Sequence, residues 1–277
     1  RGFEFTINTV NVATKNFKWN TSFNISFNSN KILNFYDGSD VRQTTLTLNG
    51  LSSASNPVAW VAKVGQPIAQ FYGYKWGGVY QYDDFDKLAN GSYVLKNGIP
   101  SYSPNIRPGD AKYVDLNGDG KVDASDQTVI GQGAAKHFGG LNNNFVYKNF
   151  SLNIFFQWNY GNNILNANRL IFEQGPFTGN LQYNTKLNMY DTFANRWTPD
   201  NPTNDIPAAR ATNVVDTGVK ISDRVIEDGS FLRLKTISLS YSLPTTAVNK
   251  LGLSGVRFNM SAQNIFTWTK YSGIDPE

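Results

Sequence analysis

From Phe17 to Phe27 the chain alternates without interruption. Phe17, Trp19, Thr21, Phe23, Ile25 and Phe27 fall on one side of an extended strand, and Lys18, Asn20, Ser22, Asn24 and Ser26 on the other. Successive strand residues point to opposite faces, so this period of two describes a strand with one apolar and one polar surface. The length of the run is the constraint. Soluble strands average about 5–6 residues, whereas a strand tilted across a bilayer needs about 9–11. A second run, from Phe150 to Tyr160, sets Phe150, Leu152, Ile154, Phe156, Trp158 and Tyr160 against Ser151, Asn153, Phe155, Gln157 and Asn159, with no charge in it. Shorter runs set Ile237, Leu239, Tyr241 and Leu243 against Ser238, Ser240 and Ser242, and Val256, Phe258, Met260 and Ala262 against Arg257, Asn259, Ser261 and Gln263. The polar faces are mostly neutral Asn, Ser, Thr and Gln rather than the Lys and Glu of soluble sheets. The expected fold class is all-β, a portion of an antiparallel transmembrane β-barrel with about six membrane strands and extended extracellular hairpins.

The connections agree. Thr14-Lys15-Asn16, Lys148-Asn149 and Pro244 to Gly255 are short, while residues 29–136 and 161–227 are very long, and short and long strictly alternate. All short turns then lie at one rim and all long loops at the other, the asymmetry of brief periplasmic turns and extended extracellular loops in outer-membrane barrels. Within a compact domain such loops would count against the strand assignment. Phe17, Trp19, Tyr147, Phe150 and Tyr241 lie toward the short-turn rim, and Trp158, Tyr160, Trp268 and Tyr271 toward the long-loop rim, as interfacial girdles require. Arg233 and Lys235 share the parity of Ile237 and Leu239, which would aim them at lipid. Either that stretch projects above the bilayer or a bulge switches faces; the loop-like Asp228-Gly229-Ser230 just before favours projection. Within the loops, Phe71-Tyr72-Gly73-Tyr74 and Trp76-Gly77-Gly78-Val79-Tyr80 read as a hairpin above the membrane. Six strands cannot close around such loops, and an open edge in lipid leaves backbone groups unpaired, so the chain reads as part of a larger barrel.

Composition narrows the remaining classes. There is no cysteine, hence no disulfide or thiolate chemistry, and the net charge of +4 comes without a dense Lys/Arg run, which gives a nucleic-acid partner little support. No window supplies the ~20 apolar residues of a spanning helix, and the mean hydropathy of −0.39 is uninformative for a barrel, half of whose strand residues face water. No signal peptide opens the chain; Arg1-Gly2-Phe3-Glu4-Phe5 already reads as strand, with the natural start cut away.

One local motif carries chemistry. Asp115-Leu116-Asn117-Gly118-Asp119-Gly120 matches the first six positions of a calcium loop. Asp115, Asn117 and Asp119 offer side-chain oxygens at alternate positions, Gly120 allows the sharp turn, Lys121 offers its carbonyl, Asp123 follows at position nine, and Asp126 stands where an EF-hand has glutamate. The expected cofactor is a structural calcium bracing a long external loop; an ion-free, Asx-rich turn is the other reading. No enzyme is expected. His137, the single histidine, sits beside Phe138 and Gly139 at a strand start and reads as an interfacial or lumenal side chain. No Ser-His-Asp set, P-loop or zinc spacing is present, and adjacent Glu227 and Asp228 on a strand would point to opposite faces. The loop aromatics Trp60, Tyr72, Trp76, Tyr80 and Tyr102 suit sugar rings or mutual packing equally.

Several segments in order resemble the C-terminal barrel region of the SusC/RagA family of TonB-dependent outer-membrane transporters. They are Gly65-Gln66-Pro67-Ile68-Ala69-Gln70-Phe71-Tyr72-Gly73-Tyr74, Pro108-Gly109-Asp110 leading into the Asp115 loop, Asn195-Arg196-Trp197-Thr198-Pro199-Asp200-Asn201-Pro202, Glu227 through Lys235, and Gln263-Asn264-Ile265-Phe266-Thr267-Trp268 through Asp275-Pro276-Glu277. The resemblance covers essentially residues 1–277. It implies a barrel of about 22 strands with an N-terminal plug, in the outer membrane of a Gram-negative cell. It further implies a SusD-like lipoprotein lid and energy from TonB for importing oligosaccharides or peptides, with outer-membrane lipid around the wall. Plug, TonB box, amino-terminal strands and the strands expected after Glu277 are not in this sequence, and no motif assigns substrate-contacting residues. A different class, a secreted calcium-stabilised carbohydrate-binding β-sandwich, would also alternate; it would seal its Phe, Ile and Trp rings between two stacked sheets.

Overall fold

The structure, a computed structural model, describes residues 1–47, 57–173, 188–209, 220–250 and 252–277. They form two units, one of residues 1–30, 134–163 and 228–277, the other of 31–133 and 164–227.

The first unit is a six-stranded sheet of β1 (Gly2–Ala13), β2 (Phe17–Asn28), β3 (His137–Tyr147), β4 (Phe150–Tyr160), β5 (Phe231–Ser242) and β6 (Arg257–Thr269). Neighbours in the sheet follow chain order, every pair antiparallel. All six strands expected from alternation are present, each 11–13 residues long. A short helix, Thr245–Lys250, fills part of the third short connection.

Register aligns the apolar positions into rows. Ile7, Phe23, Leu141, Phe156, Leu234 and Phe266 lie abreast, as do Trp19, Phe145, Leu152, Leu239 and Met260. Between these rows run polar ones, such as Asn20, Asn144, Asn153, Ser238 and Ser261. A one-residue slip in any strand would carry its rings to the wrong side, so patterning and register enforce each other. Ring contacts couple the strands on the apolar side: Trp19 stacks on Phe145 with centroids 5.6 Å apart, Phe23 on Trp158 at 5.5 Å, and Phe150 meets Tyr241 at 4.5 Å. No second sheet covers these rings in the described unit: Phe5 is 44% and Met260 77% exposed. The sandwich alternative required them sealed, and it fails.

One expectation is corrected. Arg233 is not on the apolar side: of the two readings, a bulge at Lys235 switches faces. Ile237 pairs with Ile154, but Leu234 pairs with Phe156 and Leu232 with Trp158, the register shifting at Lys235. The same irregularity recurs against β6 between Leu234 and Thr236. The extra residue lets Leu232 and Leu234 rejoin the apolar rows and turns Arg233, opposite Gln157, onto the polar side. A charge in lipid costs several kcal/mol, whereas a bulge costs one unpaired backbone step.

The second unit holds shorter strands. Thr128–Gln132, Gln70–Gly73, Val58–Lys63 and Val41–Thr45 make a four-stranded sheet in that order, over a core of Ala59, Phe71, Ile130, Leu170, Ile221 and Val225. The expected 71–80 hairpin is absent. Gln70–Gly73 pairs with Val58–Lys63 and Thr128–Gln132, while Trp76–Val79 pairs with Ala111–Tyr113. The segment near 222 separates the two: the Tyr74 amide donates to the Ile221 carbonyl at 2.9 Å, and Asp223 accepts from the Trp76 amide at 2.7 Å. Buried charges tie distant stretches of this unit together. Glu173 accepts from Arg169 at 2.8 Å and Arg224 at 2.7 Å, Arg169 reaches Glu227, and Arg224 reaches Asp205.

Candidate functional site

The polar side of the sheet carries a hollow of about 660 Å³ near the long-loop ends of the strands. Amides of Asn24, Gln157 and Asn159 line it together with the rings of Phe138, Phe155 and Phe231. These three rings break the polar parity of their strands, facing Ser26, Asn142 and Asn159 across the register. Two glycines make the space. A Cβ on Gly139 would lie 2.2 Å from the Asn24 carbonyl and 2.5 Å from the Trp158 ring, and one on Gly140 2.8 Å from the Phe155 ring. The glycines let a tryptophan fold over one face of β3 and a phenyl ring over the other. Sequence reasoning left the substrate-contacting residues open. The signal available was aromatic residues on polar parity beside a Gly-Gly pair.

Charge at the rim of the hollow is paired. Glu277 contacts Arg233 at 2.6 Å and Lys235 at 3.0 Å, and Gln157 donates to its carboxylate at 3.3 Å; Asp275 also bonds Arg233. Hydrogen bonding from Lys235 holds the Glu277 carboxyl below the usual range, and the Glu277 amide with Arg233 does the same for Asp275. What remains for a ligand is neutral: amide donors and acceptors beside phenyl faces, a surface that stacks and hydrogen-bonds. His137 lies on the apolar side, its ring 4.9 Å from Tyr160 and 5.4 Å from Phe27, and accepts from the Trp158 indole at 3.3 Å. It is part of the interfacial aromatic band.

The Asp115 loop is closed by its own hydrogen bonds. Asp115 accepts from the amides of Gly118 at 2.7 Å and Gly120 at 2.8 Å, Asn117 from Asp119, and Asp119 from Lys121. Asp126 is fully buried and caps the turn, its two oxygens accepting from Leu116 and Asp123, both at 2.8 Å. The Ser125 hydroxyl and amide hold the Asp123 carboxyl below its ordinary range. Among the described residues no three acidic or imidazole side chains converge on one point. The donor chemistry still suits a hard cation: Asn117 and Asp119 are exposed, Asp115 half-buried, and each bonded oxygen keeps a second lone pair. Asp126 serves the turn itself.

The loop aromatics turn inward. Tyr80 is fully buried with Phe85 and Ile106, and burial raises its phenol pKa well above the usual value. Trp76 and Tyr102 pack on Tyr74, Tyr113 and Val122, and Trp60 packs on the core around Phe71. Of the two readings left open, mutual packing describes Trp60, Trp76, Tyr80 and Tyr102.

An open antiparallel sheet of long strands, one side banded with exposed rings and the other lined with amides, is a stretch of outer-membrane β-barrel wall. No family model matches the chain. It is 33% identical over its whole length to TonB-dependent receptor P3 of Formosa agariphila and 29% identical to TonB-dependent receptor SusC of Bacteroides thetaiotaomicron, covering 25% and 24% of those proteins. Superposition on the RagAB peptide importer in its closed-closed state gives a TM-score of 0.68 at 23% identity, over 99% of this chain and 26% of the other. The chain spans about a quarter of the relatives it matches. It is a SusC/RagA-like segment of a TonB-dependent receptor of the Gram-negative outer membrane.

Proposed function

We propose that this chain forms wall and external loops of an outer-membrane importer of oligosaccharides or peptides, working with a SusD-like surface lipoprotein and energised through TonB. The observation that supports it most directly is the register-aligned sheet, apolar toward lipid and amide-lined toward a lumen. Residues 29–136 and 161–227 are the extracellular side, and the short turns the periplasmic side. The amide-and-phenyl hollow accommodates either substrate class. Uptake of a labelled oligosaccharide pool against a labelled peptide pool, in cells with and without the full-length transporter, separates them; transport of neither rejects the importer reading. Orientation has its own test. The chain contains no native cysteine, so Ser92→Cys should react with an impermeant maleimide on intact cells and Asn149→Cys only after permeabilisation. The reverse pattern would invert the assignment.

Calcium is proposed as a structural ion of the Asp115 loop, with Asp115, Asn117, Asp119, the Lys121 carbonyl and Asp123 as its oxygen donors and Asp126 as the buried brace. Titration calorimetry of the full-length transporter with Ca²⁺ should show saturable binding, and Asp119→Ala should weaken it roughly tenfold or more. No heat at millimolar Ca²⁺ would reject the ion.

A further inference from the structure

The short-turn rim of the sheet carries cations alone. Lys15 lies in the first turn, Lys148 in the second, Lys250 at the end of the short helix in the third, with Lys18 second in its strand and Arg257 first in its own; all five are exposed. Residues 13–18, 146–151 and 242–257 contain no Asp or Glu. None of the five makes an ion pair among the described residues, in contrast to the long-loop rim, where Arg233 and Lys235 are paired with Asp275 and Glu277. Arg257 turns onto the polar side and donates to Ser240, but Lys15, Lys148 and Lys250 belong to the turns.

An aromatic band adjoins them. Phe150 and Tyr241 are in contact, Tyr147 and Phe258 are exposed on the apolar side, and the Lys148 ammonium lies 5.4 Å from the Tyr147 ring centroid. Amphipathic rings settle at headgroup depth, and lysine stems run along apolar surface to place the ammonium in the polar layer. Ammonium groups spaced along that layer, unneutralised by the protein, match the phosphates and net negative charge of anionic phospholipids.

We infer that Lys15, Lys148 and Lys250 form a headgroup-binding rim selective for anionic phospholipid in the periplasmic leaflet. The leaflet rests on the orientation proposed above; the lipid preference does not. A lipid in this position anchors the wall vertically and resists axial displacement when force is applied from the periplasmic side.

The test uses the full-length transporter, extracted and exchanged into nanodiscs of phosphatidylcholine with one-fifth phosphatidylglycerol. Lipids retained on release into mild detergent are counted by native mass spectrometry. Wild type should be enriched several-fold in phosphatidylglycerol over the bulk. Lys15→Gln/Lys148→Gln/Lys250→Gln should lower that enrichment to the bulk ratio, each lost charge removing at most about fivefold. Lys136→Gln/Lys270→Gln, at the opposite rim, should leave most of it. Heat-modifiable migration of each variant certifies that the barrel is folded. Excess inorganic phosphate should not displace the lipid. No enrichment in wild type, equal loss in both variants, or displacement by phosphate overturns the inference. Loss of an acidic periplasmic protein's binding with lipid retention unchanged also overturns it, in favour of a protein partner. The cysteine labelling reports orientation independently, so the two readings fail separately.

Discussion

Ile154→Arg is expected to cost about 2–4 kcal/mol, the penalty of a cation on the lipid face near mid-bilayer. Ile154 lies in the apolar row with Ile237 and opposite Asn143, four residues from the aromatic Phe150 and six from Tyr160. An arginine there cannot reach either interface without distorting β4. Asn144→Arg, on the polar side against Asn20 and Asn153, should stay within about 0.5 kcal/mol, since water is available to it. The measurement is the fraction of full-length protein that migrates as a folded, heat-modifiable species after assembly into vesicles. If Asn144→Arg blocked assembly and Ile154→Arg did not, the faces would be reversed and the lumen assignment with them.

The second large effect lies in the loop unit. Glu173 is 3% exposed and accepts from Arg169, Arg224 and the Thr192 hydroxyl. Glu173→Gln removes the anion and leaves two guanidinium groups facing an amide, one of them with a side chain only 3% exposed. Breaking such a buried network by deleting one partner costs up to about 3–5 kcal/mol, because the buried Arg224 guanidinium is left with only the exposed Asp205 as its counter-ion. The loops should become sensitive to protease on intact cells while the barrel remains heat-modifiable. Glu173→Met with Arg224→Met should recover much of the protection, since replacing both charges leaves less charge stranded. A single variant as resistant as wild type would show that the network carries little of the loop's stability.

Both predictions rest on features of unequal visibility in the sequence. The apolar face of β2 and β4 was legible from Phe17–Phe27 and Phe150–Tyr160 because alternation is a local property: each residue's side follows from its neighbour's. Strand number and the long–short order of connections followed for the same reason. The Arg169–Glu173–Arg224–Glu227 network was not legible, since its members lie up to 58 positions apart and nothing in their local sequence marks them as partners. The Asp115 loop was legible as a motif, and the structure adds that Asp126 works as a buried cap. The hollow on the polar side was half-visible: Phe138, Phe155 and Phe231 stand out by parity, but only pairing of β2 through β5 gathers them.

By itself, then, the sequence determined the six long strands, the apolar and polar sides of their regular stretches and at which rim the turns are short, since side-chain period and run length are properties of one strand. The tertiary structure alone decided the face of Arg233, the partners of Gln70–Gly73 and Trp76–Val79, and the burial of Tyr80. Register and packing depend on which distant strand lies alongside. At Lys235 the neighbouring rows, set by Phe156 and Phe266, outweighed the strand's own parity and forced the bulge that brought the arginine to the polar side.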